Sequence, residues 1–183
     1  MSKKTIVALL ITVVIAAFLT ACASGTTTDE ATDSGETEAQ TGLPNPWSDV
    51  ASAEDAAKGA GIASFTVSDD LGLTETKVLA PTFRCMDGIA EADFDGEAFE
   101  VCVRKSETLT GQDLSGDYNE YPFEWTMEVD GMQVACRGYE EGLASAFDWE
   151  RDGANYSVMF TSLENESMGV SSVEVAAVMA SVS

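Results

Sequence analysis

The sequence predicts an α+β fold, a meandering antiparallel sheet flanked by a short N-terminal helix and a C-terminal helix. The first observation is that apolar and polar residues alternate in several short segments separated by Asp-Gly pairs, a pattern typical of antiparallel strands with one buried face. The second is that a Ser-x-x-acid sequence stands at each end of this region, as expected where a helix begins. No fixed-period repeat divides the chain, so one domain is expected.

Residues 1–21 are predicted to be an export signal, because Lys3 and Lys4 form a basic head before the apolar run 5–21. The run ends in Leu-Thr-Ala-Cys, which resembles the lipobox of bacterial lipoproteins, and we therefore expect Cys22 to carry diacylglycerol. Two acyl chains, palmitate for example, anchor a protein stably, whereas one is marginal. An uncleaved transmembrane helix is the alternative, for which the apolar run is short.

Residues 22–42 are predicted to be the lipidated cysteine followed by a disordered acidic tether. After Cys22 the composition changes to Thr, Ser, Gly, Ala and acids, with no bulky apolar residue before Leu43. Such a segment cannot bury enough apolar surface to fold. The expected location is therefore the extracytoplasmic face of the cell membrane, with a lipid-anchored body held away from the bilayer.

Residues 43–183 are predicted to form the single folded domain. Pro44 and Pro46 oppose helix formation at its start, and Trp47 offers a large ring for the body to cover. Ser52 precedes the good helix formers of 53–60, and Gly61 suits a helix end, so a short helix is expected there.

Strands are predicted between this helix and the C-terminal one. The expected segments and the Asp-Gly turns that punctuate them are 62–67, 75–86, 99–103, 123–129, 132–136, 146–149 and 155–160, with turns at 87–88, 95–96, 130–131 and 152–153. Along 99–103 the alternation turns Phe99 and Val101 inward and Cys102 outward. From Ser171 a Ser-x-x-Glu start predicts the closing helix, with Val173, Ala176, Ala177 and Ala180 on its apolar face.

Charge and composition exclude several functions. The chain has 9 basic and 32 acidic residues, and loss of Lys3 and Lys4 with the leader changes the net charge from −23 to −25. Nucleic-acid binding needs clustered cations, so no nucleic-acid partner is expected. The chain has no histidine, which removes Ser-His, Cys-His and His-ligated metal chemistry. We expect no enzyme, no cofactor and no bound metal.

Three cysteines remain after Cys22, and they leave a disulfide among Cys85, Cys102 and Cys136 possible but its pairing unknown. The strand pattern turns Cys85 and Cys136 to the apolar side of the sheet and Cys102 to the other. A simple meander puts a strand between each sequential pair, which is too wide for the bond. An oxidising compartment favours a pair nonetheless.

The long connection 106–121 is the candidate binding loop, because structureless connections of this length are often functional. Its candidate residues offer oxygen ligands and aromatic rings, and they are Asp113, Asp117, Tyr118, Asn119 and Tyr121. Three interpretations stay open. Both tyrosines pack down and cap the sheet edge, or the loop binds a partner or ligand, or its oxygens hold calcium.

Several stretches of the domain together resemble the domain of unknown function 4367, an uncharacterised extracytoplasmic domain of bacterial lipoproteins and some anti-sigma factors. They are Asn45-Pro46-Trp47, Val103-Arg104-Lys105, Leu114-Ser115-Gly116-Asp117-Tyr118-Asn119-Glu120-Tyr121, and Trp149 with Asn155-Tyr156-Ser157. The resemblance implies a sheet-and-helix module that binds or senses outside the membrane. It transfers no catalytic residues, and the expected lipid anchor departs from the anti-sigma pattern.

The expected function is a lipid-anchored, non-catalytic binding or sensing domain for a protein or envelope component. Two alternatives remain. A small-ligand carrier or sensor needs a deep apolar pocket between sheet and helices, and an acidic surface spacer needs only its charge.

Overall fold

The structure, a computed structural model, describes residues 45–73, 77–109, 111–163 and 168–183. The predicted export signal, Cys22 and the tether fall within residues 1–44, outside these ranges. The compact unit that holds every element below is Leu43–Ser183. Among the described residues, no helix has both the length and the apolar character needed to cross a bilayer.

Eight strands and two helices form this unit, which is the predicted α+β class. Their bounds in chain order are β1 Ser48–Val50, α1 Ala53–Ala60, β2 Thr82–Met86, β3 Ile89–Asp95, β4 Phe99–Ser106, β5 Phe123–Val129, β6 Met132–Gly138, β7 Ala146–Arg151, β8 Ala154–Ser162 and α2 Ser172–Ser181.

All eight strands belong to one antiparallel sheet with the order β1-β2-β3-β4-β8-β7-β6-β5. It consists of two four-stranded meanders that meet where β4 pairs with β8. The 107–122 connection carries the chain from the middle of the sheet to its far edge, where β5 begins. The order thus differs from one continuous meander at this single place.

The first helix has the ends that the sequence predicts. The Ser52 hydroxyl accepts a hydrogen bond from the Asp55 N–H, and Gly61 ends the helix in the left-handed region at φ 72°. Gly59 lies against β2 so closely that a Cβ there would come within 2.3 Å of the Cys85 sulfur. The helix therefore packs on the β2 end of the sheet.

The closing helix α2 has the predicted start but buries another face. Ser171 and Glu174 form a reciprocal capping box. The buried positions are Val175, Val178, Met179 and, just beyond the helix, Val182, whereas Val173 is 77% exposed. The predicted face through Val173 was wrong because the helix is apolar nearly all round, so its sequence alone does not select one side.

Three of the four Asp-Gly pairs form the predicted two-residue turns, between β2 and β3, β5 and β6, and β7 and β8. Asp130 and Gly131 have φ values of 49° and 81°, as the hairpin turns with two left-handed residues require. The pair Asp95-Gly96 does not form such a turn. The Gly96 N–H instead bonds the Phe99 carbonyl at 2.7 Å, across a three-residue connection.

Both helices and one face of the sheet enclose a single hydrophobic core. It includes Ala56 of α1, Val178 of α2 and the completely buried Phe147 and Val158 of the sheet. The predicted strand 62–67 is absent apart from an isolated bridge between Val67 and Val182. Its backbone pairs with the C-terminal tail after α2 instead.

Cys85, Cys102 and Cys136 are all free thiols, so the possible disulfide is not formed. The sheet order explains why. Cys85 on β2 and Cys136 on β6 share the core face but have four strands between them, and Cys102 on β4 lies on the opposite face. The predicted side of the sheet for each cysteine is confirmed, and none of the three pairs is within bonding reach.

Candidate functional site

The candidate site lies on the polar face, defined here as the side of the sheet opposite the helices. Strand register aligns Arg84 of β2, Glu91 of β3, Arg104 of β4 and Ser157 of β8 in one row across four neighbouring strands. Side chains directly opposite each other on one sheet face are close enough to interact. The row therefore brings two cations against one carboxylate.

Glu91 is completely buried and is bound from both sides. The Arg104 Nε donates to one carboxylate oxygen at 2.5 Å, and the Arg84 Nε donates to the other. Arg84 also lies 3.3 Å from an oxygen of Asp93, two residues along β3. A buried carboxylate needs such charge-assisted bonds, because an unpaired one would be strongly destabilising.

Trp47 covers the two arginines from the edge of the unit. The Arg84 and Arg104 guanidinium carbons lie 4.7 Å and 5.2 Å from the Trp47 ring centroid, within the range of cation-π attraction. The ring therefore lies over both guanidinium groups that bind Glu91. The sequence predicts that the body of the domain covers Trp47. In the structure the half-buried ring packs on the two arginines of this cluster.

The cluster shifts the pKa values of its two carboxyl groups in opposite directions. Burial by itself raises the pKa of Glu91, but the Arg84 hydrogen bond and the Arg104 charge outweigh it and hold the pKa below its ordinary value of 4.5. Burial and the adjacent Glu91 charge raise the pKa of Asp93 to about 6. Glu91 is therefore a fixed anion, whereas Asp93 titrates on the acid side of neutrality.

Cys102 completes the cluster and faces a recess of about 340 Å³ that Arg84, Asp93 and Arg104 also line. Burial, and next the Glu91 charge, raise the pKa of the Cys102 thiol well above its ordinary value. The thiol is therefore protonated at neutral pH and is a weak nucleophile and a weak metal ligand.

Glu91, Asp93 and Cys102 each have a potential metal-ligating atom, and these atoms lie within 4.8 Å of one another. Their surroundings disfavour a cation, because both Glu91 oxygens already accept bonds from arginine. Two guanidinium charges stand beside the group as well. We interpret the arrangement, called the Glu91 cluster from here on, as a closed ion-pair network.

Arg104 also holds the covering loop, defined here as the described residues 107–109 and 111–122, on the polar face. The Arg104 Nη1 donates to the carbonyls of Leu114, at 3.1 Å, and Ser115. Farther along the sheet, the Asn155 amide donates to the Leu109 carbonyl at 2.8 Å. Leu114 and Ser115 are buried in consequence, so the loop is attached at several points.

Four of the five predicted loop residues take part in bonds that fix the loop's own shape. Asp113 accepts from the backbone and hydroxyl of Ser115, at 2.9 Å and 2.6 Å. Asp117 accepts from the Asn119 N–H at 2.9 Å and from the Tyr121 hydroxyl at 2.5 Å. Burial and that hydrogen bond raise the pKa of Tyr121. These oxygens are thus occupied within the loop.

The two predicted tyrosines have different surroundings. The Tyr121 ring packs on Tyr139 with centroids 4.9 Å apart, as the packed-down interpretation expects. Tyr118 is 97% exposed, so that interpretation was wrong for this residue. An aromatic ring left in water on a fixed loop is available for a partner.

A second recess, of about 480 Å³, lies between the covering loop and the sheet. Loop residues 111–114 form one wall, and Arg137, Asp148 and Asn155 of the sheet contribute to the other. The Arg137 Nη2 donates to Asp148 at 2.7 Å. Burial raises the pKa of Asp148, and the charge of Arg137 offsets part of this shift. The recess thus presents donors and acceptors in a partly desolvated setting.

Glu91 is the residue that the sequence analysis missed. It stands between Ala90 and Ala92 in an acidic chain, where one more glutamate attracts no notice. A usable signal was the scarcity of cations, since Arg84 and Arg104 are two of only nine. In a hairpin closed at Asp87-Gly88, Arg84 falls opposite Glu91.

Comparison of the chain with protein-family models, with curated proteins and with solved structures finds no match. The resemblance to the domain of unknown function 4367 therefore stays a prediction. Of the residues that carry it, Trp47 and Arg104 meet at the Glu91 cluster, and the Leu114–Tyr121 string lies on the covering loop.

Proposed function

We propose that this chain is a lipid-anchored extracytoplasmic lipoprotein whose body binds a protein or envelope component without catalysis. The observation that carries the proposal is the covering loop, which is fixed to the polar face by Arg104 and presents Tyr118 almost fully to solvent. Tyrosine is enriched at binding hot spots, because its rigid ring gives a large contact area and its hydroxyl gives a hydrogen bond.

The recess between the loop and the sheet also favours a binding surface on the polar face. Its wall combines the Arg137 and Asp148 side chains with loop residues 111–114, so a polar group of a partner can enter between the loop and the sheet. The helix-facing side, which a small-ligand carrier would use, is filled by packed side chains such as Phe147, Val158 and Val175, all 0% exposed. This packing favours the polar face as the binding surface.

Photo-crosslinking from position 118 tests the binding proposal. We expect a crosslinking amino acid at Tyr118, in the full chain in its native envelope, to give one discrete product. The same group at Val173, an apolar site on α2 that is 77% exposed, should not give that product. Asp117→Asn, which weakens the bond to Tyr121, should reduce the yield. Identical products from both positions, or none, would contradict the proposal.

Substitution of the lipidation site tests the anchor. In the unaltered chain we expect a mature N-terminus at an acylated Cys22, recovered with the membrane fraction. Cys22→Ala should lose the added lipid mass and the processing that depends on it, because the thioether needs the thiol. Intact mass measurement of both forms, with fractionation, gives the answer. An unaltered chain that retains Met1 and has no acyl groups would refute the anchor.

A further inference from the structure

Among the described strands, the sheet has one long edge with no strand paired on its outer side. Strand β5 lies at an end of the strand order and pairs with β6 on its inner side. It has seven residues, Phe123–Val129, with no proline, whereas β1 at the opposite edge has three. A long regular edge strand can accept another strand unless something covers it.

The hairpin turn determines which backbone groups of β5 point outward. Because Asp130-Gly131 is a two-residue turn, Val129 and Met132 form a hydrogen-bonded pair, and such pairs alternate along the ladder. The N–H and C=O groups of Glu124, Thr126 and Glu128 consequently face away from β6. Within the described ranges, no backbone hydrogen bond reaches these outward groups.

The side chains of β5 form two rows of different chemistry. Glu124, Thr126 and Glu128 are exposed on the polar face. The other row, on the core face, consists of Phe123, Trp125, Met127 and Val129; Phe123 is 39% exposed, and Trp125 and Met127 are half-buried. The neighbouring β6 residues Val134 and Cys136 are buried. The apolar layer therefore reaches the edge and is left incompletely covered there.

We propose that β5 binds an extended segment of a partner protein as a ninth antiparallel strand. The segment carries Lys or Arg opposite Glu124 and Glu128 and apolar residues beside Trp125 and Met127. Backbone pairing supplies affinity in this mode, and the alternating side chains supply specificity. The acidic row selects a basic partner, since opposite charges across strands stabilise pairing.

A second copy of this chain fits the edge poorly. Antiparallel self-pairing centred on Thr126 would set Glu124 of each copy opposite Glu128 of the other, and directly opposed like charges are destabilising. The net charge of −23 adds a general repulsion between copies. The edge thus disfavours its own sequence and favours a basic one.

Synthetic peptides provide the probe. An alternating Lys-Val peptide should bind the full chain saturably and should shift the backbone amide resonances of β5. Two matched peptides, one with Glu replacing Lys and one with N-methyl groups on its pairing edge, should bind about tenfold more weakly or worse. Equal affinity of all three peptides, or resonance shifts scattered away from β5, would overturn the proposal.

Variants of β5 separate edge pairing from general attraction to an acidic surface. Thr126→Pro should leave the ladder to β6 intact, because proline is tolerated where the N–H points away from the sheet. It should abolish peptide binding, because the outward N–H that would pair with the added strand is missing. Glu124→Lys with Glu128→Lys leaves the backbone intact and should reverse the preference to the Glu-Val peptide. This pair keeps the test valid even if the proline variant does not fold.

The control is Glu97→Lys with Glu150→Lys, which makes the same charge change at exposed positions off β5. It should keep the preference for the Lys-Val peptide. Loss of that preference in the control, or dimerisation of the unaltered chain through β5, would refute the assignment. Crosslinking at Tyr118 should be unaffected by the β5 variants, so the two proposed surfaces can fail separately.

Discussion

Replacing Glu91 by Gln is expected to lower the free energy of unfolding by about 3 kcal/mol at neutral pH. Glu91 is 0% exposed and accepts hydrogen bonds from Arg84 and Arg104. The neutral amide would leave two guanidinium groups close together with no carboxylate between them. Because the Arg84 side chain is 36% exposed, water relieves part of that cost, and the estimate stays at the low end of the range for broken buried pairs.

Urea unfolding followed by circular dichroism measures this effect, with Glu100→Gln as the control. Glu100 is an exposed carboxylate on β4, on the polar face, and its loss should change stability by less than about 0.5 kcal/mol. Since Arg104 also holds Leu114, the Glu91 variant should show faster amide exchange in the covering loop. A Glu91 variant as stable as the control would show that the cluster contributes little.

Replacing Asp93 by Asn is expected to stabilise the protein above pH 6. The native pKa of Asp93 is raised from 3.8 to about 6, first by burial and then by the Glu91 charge. The native state therefore holds this proton more tightly than the unfolded chain does, and the ionised form is destabilising at neutral pH. Since the side chain is 34% exposed, solvent screening reduces the expected gain to roughly 1 kcal/mol.

The pH dependence distinguishes this effect from a simple change in packing. The advantage of Asp93→Asn should be complete above pH 6 and should disappear only as the pH falls below 3.8, where wild-type Asp93 is protonated in both the native and the unfolded state. Asp95→Asn, at an exposed carboxylate on the same strand, serves as the control for loss of a carboxylate from β3. An advantage that is constant from pH 4 to pH 8 would contradict the proposed ionisation.

Glu91 and Asp93 together predict where the unaltered protein is most stable. Protonation of Asp93 adds stability as the pH falls through about 6. The stabilisation from ionised Glu91 begins to be lost as the pH falls through 4.5, where the carboxyl of the unfolded chain takes up a proton, because the native pKa lies below that value. The cluster alone therefore favours an optimum on the acid side of neutrality, between these two values.

The features predicted correctly from the sequence depend on contacts close along the chain. Ser52 and Ser171 cap helices within one turn of themselves, and the turns at Asp130-Gly131 and Asp152-Gly153 need only their own two residues to adopt positive φ. Alternation likewise assigned each cysteine to its side of the sheet. Such local signals can be read from the sequence because they depend little on the tertiary structure around them.

The features that were missed depend on which strands become neighbours. The connection to β5 crosses to the far edge, and no local pattern states where a long connection ends. Glu91 is a buried charge on the polar face only because β2 and β4 flank it with arginines. The buried face of α2 was decided by the elements beneath it, since Val173 and Val175 are equally apolar.

Only part of the candidate site was predicted from the sequence, because the site also depends on which residues become neighbours in the fold. The loop of 106–121 was recognised from its length and composition, but its two tyrosines could not be told apart. Tyr121 packs because β6 brings Tyr139 beside it, whereas Tyr118 has no such neighbour among the described residues. The residue that remains free for a partner became evident only in three dimensions.

Most of the described basic side chains contact aromatic rings of the folded unit. Lys105 and Arg151 lie over the Tyr156 ring, Arg84 and Arg104 lie against Trp47, and Arg137 lies near Tyr121. Among the described residues, Lys58 and Lys77 are the exposed basic residues. The outer shell is therefore almost wholly anionic and should gather a dense atmosphere of sodium or potassium ions. At low ionic strength the acidic groups repel one another with less screening, so the free energy of unfolding should fall. Added salt should raise it.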